Sequence, residues 1–205
     1  MALSASSEHR EERQARSVQH LQELYTVVVG IALSLAVDRL VPAPGQEFQV
    51  HRLLLALALL ATLIPLYHGG LRHLDEQYAF SDTPSAERAY GVLIDFLLLV
   101  LESCTFLALA DSIGRPRVFA LLFCVLLALD ITWASLATRF LARRPAPTPA
   151  GRWLVIDLVT GVVLLTFLAT GISTDVLWYL IPAIAFTRTA ADYAWTWRFH
   201  AAAEG

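Results

Sequence analysis

The sequence predicts an all-α, polytopic integral membrane protein with six transmembrane helices, and three observations carry that prediction. Hydrophobic residues make up 57% of the 205-residue chain and charged residues only 16%, which is too apolar for a water-soluble domain of this size. The apolar residues gather in six runs, each close to the roughly 20 residues needed to cross a hydrocarbon layer about 30 Å thick. Pro, Gly and Arg cluster between the runs, where helices end and membrane surfaces begin.

Taken in order, residues 1–24 are polar and form a cytoplasmic segment or amphipathic helix. They have neither the basic start nor the cleavable apolar core of a secretory signal. Val18, Leu21 and Tyr25 recur at i, i+3 and i+7, which aligns them on one helical face leading into the first span. The transmembrane domain covers 25–198, with spans at 25–41, 53–71, 90–110, 118–138, 153–172 and 176–197, and a cytoplasmic tail follows at 199–205. Pro42, Pro44 and Gly45 turn the chain after the first span, where the adjacent Asp38 and Arg39 sit at the interface. The stretch from Pro65 to Gly70 is expected to end the second span at a glycine terminus. Gly114, Arg115, Pro116 and Arg117 make a short turn between the third and fourth spans. The sixth span is the least hydrophobic, and Pro182 lies inside it.

Arginine placement orients the bundle. With the N-terminus inside, ten arginines (10, 13, 16, 72, 88, 139, 143, 144, 152 and 198) fall on the cytoplasmic side and four (39, 52, 115 and 117) on the other. The positive-inside bias therefore puts both termini in the cytoplasm. The absence of Lys and Asn fits a GC-rich genome, so a bacterial inner membrane is the expected location. A net charge of −3 gives no reason to expect a nucleic-acid partner. The two cysteines, Cys104 and Cys124, lie in spans and read as small apolar residues.

A 62-residue interval relates Asp95 to Asp157, Asp130 to Asp192, and Trp133 to Trp195. The spans are thus expected to form three tandem two-helix hairpins, the first of them diverged, with His68 opposite Asp130 and Leu33 opposite Asp95.

The function question is set by the charges within the spans. An Asp at mid-span costs roughly 2.5–3.5 kcal/mol on insertion, against about 0.3–0.6 returned by each Leu, Ile, Phe or Val. Span four has eleven of those apolar residues to offset Asp130, whereas span six has six against both Arg188 and Asp192. The charges of span six are therefore expected to face neighbouring helices or water. Arg188 and Asp192 stand at i and i+4 and are expected to pair within their own helix. That pairing leaves Asp95, Glu102, Asp130 and Asp157 without a cationic partner, so they must be protonated, hydrated or neutralised by a bound cation. Glu102 lies seven residues beyond Asp95, on the same face.

These residues point to a small channel or transporter for a cation or protons. Asp95, Glu102, Asp130, Asp157 and Asp192 would line its route, with His68 at the inner mouth, and Trp133, Trp195 and Arg188 would pack or gate it. Six helices leave little room for a wide pore, so a homo-oligomer in the lipid bilayer is expected. One alternative is a non-transporting scaffold, sensor or accessory subunit whose carboxylates only join helices. A second is a metal-dependent lipid hydrolase built on His68, His73, Asp75 and Glu76. However, His68 and His73 are five apart, about 140° round a helix, a poor arrangement for shared ligation. The chain contains no Gly-rich phosphate loop, no H-E-x-x-H and no nucleophile elbow, so no cofactor, metal or catalytic residue is expected.

Overall fold

The computed structural model describes the backbone of residues 2–42, 44–45, 47–75, 85–141 and 150–201, and the side chains of 16–42, 44–45, 47–75, 91–136 and 150–196. Within them the chain forms six α-helices: α1 (Ala2–Leu40), α2 (Val50–Leu74), α3 (Ser85–Asp111), α4 (Pro116–Leu141), α5 (Ala150–Ala169) and α6 (Thr174–Ala201). Five of them are long and apolar enough to cross a membrane, over Arg16–Leu40, Val50–Leu74, Gly91–Gly114, Pro116–Leu136 and Ala150–Ala169. The chain is all-α and has the helices of a multi-pass membrane protein, with apolar surface turned toward lipid. The side chains of Arg10, Arg13, Glu76, Arg88, Arg139, Arg143, Arg144 and Arg198 lie outside the described residues, as does the tail at 202–205.

Helix α6 has the length of a span but is not among the five. Its buried residues explain this. Leu177, Ile181 and Ala185 are followed at helical spacing of three or four by Arg188, Asp192 and Thr196, so one inward stripe changes from apolar to polar along the helix. As expected, Arg188 and Asp192 of α6 turn into the protein, and neighbouring helices provide what its own apolarity does not.

The turns follow local chemistry. Gly45 (φ +84°) and Gly171 (φ +71°) adopt the left-handed conformation that glycine reaches without a Cβ penalty. A single 3₁₀ turn, Ser112–Gly114, links α3 to α4. The glycines after Pro65 do not end α2, which continues to Leu74. They are packing positions instead: a Cβ on Gly69 would lie 3.7 Å from the Trp153 ring, and one on Gly70 would lie 3.7 Å from Tyr25. Small residues let membrane helices approach closely.

Round the bundle, each helix packs on the next in the order α1, α3, α4, α5, α6, α2, and α2 closes the ring on α1. Helices α4 and α6 also meet, as do α2 and α3. The second and third hairpins run in the same sense round this ring, and the first runs in reverse. A uniform three-hairpin ring would close α6 on α1, but α6 packs on α2, so the first hairpin is not arranged as a copy of the other two. Val18, Leu21 and Tyr25 are all buried, as their spacing predicts.

One end of the bundle carries the finish of α1 and α3 and the start of α4. There Arg39 reaches Asp111 at 2.5 Å and Arg115 reaches the same carboxylate at 2.7 Å. These groups are half exposed and suit a membrane surface. Next to them lies an apolar plug in which Phe106, Leu109, Ile113, Phe119, Phe123 and Leu126 are at most 2% exposed. The polar residues occupy the other half.

Candidate functional site

Arg188 is at the centre of that half. Helix α6 carries it inward, and its side chain is 2% exposed. Its Nε donates to Asp157 Oδ1 on α5 at 2.6 Å, and its Nη2 donates to Asp130 Oδ2 on α4 at 3.1 Å. One guanidinium thus ties three helices together through two carboxylates, which also interact directly with each other. This overturns two expectations. Arg188 does not make its hydrogen bonds within its own helix to Asp192, and Asp130 and Asp157 do have a cationic partner. Asp192, one turn away, is instead held by the Trp153 indole N–H at 2.8 Å and the Thr196 hydroxyl at 3.0 Å, which leaves the guanidinium for α5 and α4.

A second cluster lies nearer the end at which α2 finishes and α3 begins. Trp133 Nε1 on α4 donates to Asp95 Oδ1 at 3.1 Å, and His73 Nε2 on α2 lies 3.4 Å from Asp95 Oδ2. The His73 ring stands edge-on to Trp133, with centroids 4.5 Å apart, and Trp133 lies 5.8 Å from Trp153. His73, Asp95 and Trp133 form one contiguous set, and the two tryptophans connect it to Asp192.

Between the clusters is a cavity of about 50 Å³, room for a few water molecules, since one needs roughly 10–15 Å³ of such volume. Four carboxylates line it, those of Asp95, Glu102, Asp130 and Asp192, together with the Arg188 guanidinium and His73. Asp157 lies behind Arg188, with 0% of its side chain exposed. Glu102 is beside Tyr25 of α1, whose hydroxyl is buried without a hydrogen bond of ordinary geometry. Two more buried atoms of the site, Asp157 Oδ2 and Arg188 Nη1, make no hydrogen bond of ordinary geometry among the described residues.

The structure therefore brings together Asp95, Glu102, Asp130, Asp157, Asp192, Arg188 and Trp133 from the sequence-derived set. It does not bring in His68 or Trp195. His68 is exposed and does not line the cavity, and Trp195 is 49% exposed on the outer surface, where its backbone carbonyl accepts from Arg152 at 2.6 Å. The repeat misassigns Trp195 because the third hairpin builds its Trp–Asp bond in the opposite sense. In the second hairpin α4 gives the Trp and α3 the Asp; in the third, α5 gives the Trp and α6 the Asp. Trp153 is the candidate that sequence reasoning missed, and His73, considered there only as a metal ligand, takes the place beside Asp95. The 140° separation of His68 and His73 shows that one of them faces away from a given neighbour, but not which. Among the described residues no three His, Cys, Asp or Glu side chains are grouped so as to hold a metal ion.

Fold and site together define an all-α membrane bundle with a buried carboxylate–arginine cluster beside a small polar cavity. Comparison with protein-family models, curated proteins and solved structures finds no match.

Proposed function

We propose that the protein is a small membrane transporter or gated channel that carries a cation or protons through the carboxylate-lined cavity. One observation carries this reading. Five carboxylates meet one guanidinium and one imidazole, so negative groups outnumber positive ones by at least three even with His73 protonated. Such an excess in a low-dielectric interior must be balanced by protons, a mobile cation or water. In this reading α6 is a sixth span, both termini are cytoplasmic, the membrane is a bacterial inner membrane, and His73 takes the inner-mouth position. The apolar plug around Phe106 and Phe123 separates the cavity from the far side, so passage requires that plug to open. A homo-oligomer remains part of the proposal.

The test is flux in proteoliposomes holding the purified full chain. Uptake of protons or of a monovalent cation that falls when Glu102 is replaced by Gln supports the reading, and the absence of uptake of both above empty liposomes refutes it.

A second reading has its own support. Asp95, Asp192, Asp130 and Asp157 each accept a hydrogen bond from another helix, as carboxylates that only join helices would. On that reading the chain is a non-transporting scaffold, sensor or accessory subunit. It predicts no flux, together with loss of assembly when Arg188 is replaced.

A further inference from the structure

We propose that the species carried is the proton, and that Arg188 permanently fills the position a metal cation would need. This rests on the transport reading above and narrows it.

Asp130 and Asp157 face each other, and the Arg188 guanidinium already bridges them at 3.1 and 2.6 Å. A metal ion would have to displace it. The rest of the lining offers few oxygens to complete a coordination shell, which for hard cations takes about six ligands. Asp95 is covered by Trp133 and His73, and Asp192 by Trp153 and Thr196. The remaining lining is largely Leu, Gly, Pro and Trp. A proton makes a much smaller demand, one acceptor oxygen and a short run of water.

The cavity meets that demand. Its volume of about 50 Å³ admits a few water molecules. Arg188, 2% exposed and lining the cavity, keeps its Nη1 donor free of any acceptor among the described residues. Asp157 Oδ2 and the Tyr25 hydroxyl, both buried, also make no hydrogen bond of ordinary geometry among the described residues. Buried donors and acceptors of this kind are ordinarily satisfied by water, and water between carboxylates is a proton path.

Glu102 is the inner acceptor. Tyr25 faces it from α1, and Arg188 and Asp157 act on it from α6 and α5. Asp130 is within interaction range on α4, and Gly70 and His73 of α2 complete the lining. A proton enters at His73 and Asp95, crosses the cavity water and is taken by Glu102. It can also be shared by Asp130 and Asp157, which are neutral together with one guanidinium and one proton. Each transfer forms one O–H or N–H bond as another breaks, and no group is oxidised or reduced.

The experiment uses liposomes containing the purified full chain, with an internal pH-sensitive dye and an imposed membrane potential, and Na⁺ uptake measured in parallel. The expected result is proton uptake without Na⁺ uptake, lowered about tenfold or more by Glu102→Gln because each carboxylate is a step in series, and unchanged by Trp195→Phe. Na⁺ uptake without proton uptake would overturn the proton assignment and leave the cation route standing. Absence of both would overturn the route and the assignment together. In case Glu102→Gln compromises folding, infrared difference spectra of the wild-type chain across pH give an independent readout. A protonated-carboxyl band that shifts in Glu102→Asp supports the assignment, and wild-type spectra with no such band overturn it.

Discussion

Replacing Arg188 by Gln tests the centre of the site. If Arg188 only donated two hydrogen bonds between helices, the loss would be small, since such bonds in membrane proteins average about 0.6 kcal/mol and reach about 1.7. The surroundings argue for more. Asp157 is 0% exposed and Asp130 12% exposed at the side chain, so removing the guanidinium strands two carboxylates in the interior. Breaking a buried pair in this way costs about 3–5 kcal/mol. Unfolding by SDS in mixed micelles, followed by far-ultraviolet circular dichroism, should show a loss in that range. Adding Asp157→Asn to the Arg188→Gln background should then recover a large part of it, because one stranded charge is gone. A loss under about 1 kcal/mol for the single variant, or a further loss on adding Asp157→Asn, would refute the view that charge compensation holds α4, α5 and α6 together.

Other outcomes follow from the same structure. Trp133→Phe removes the donor to Asp95 and should lower stability by about 0.6–1.7 kcal/mol in the same titration, whereas Trp195→Phe on the outer surface should stay within about 0.5 kcal/mol of wild type. Gly171→Ala should cost about 1–2 kcal/mol, since a Cβ there meets no neighbour within 4 Å and the penalty is the left-handed backbone alone. Gly30→Ala, inside α1 with equally open space, should raise the denaturation midpoint, as alanine is favoured over glycine in a helix by up to about 1 kcal/mol. Compartment reporters fused to either end of the chain should both read cytoplasm; reporters that read opposite sides would mean that α6 does not cross.

The site was partly legible before any coordinates. Asp95 and Glu102 are seven residues apart on one helix and both line the cavity, because helical period alone fixes that relation. The gathering of Asp95, Asp130, Asp157 and Asp192 in one half of the bundle also follows from span order, since alternating helices bring the start of one run level with the end of the next. Rotation about each helix axis was not legible. In a soluble helix the apolar stripe marks the inward face, but here outward residues such as Leu93, Leu97, Leu121 and Leu158 are more than half exposed and just as apolar. The pattern therefore could not choose between His68 and His73, or between Trp133 and Trp195.

By itself, then, the sequence determined the all-α class, the five strongly apolar helices and the turns at Gly45 and Gly114. These depend on composition and on neighbours along the chain. Tertiary structure alone decided the reversed placement of the first hairpin and the pairing of Arg188 with residues 31 and 58 positions away. The physical reason is competition among partners. The i, i+4 rule offers Arg188 only Asp192, but Trp153 on α5 takes that carboxylate, and the long guanidinium spans the gap to the two aspartates that packing of α4 and α5 brings beneath it.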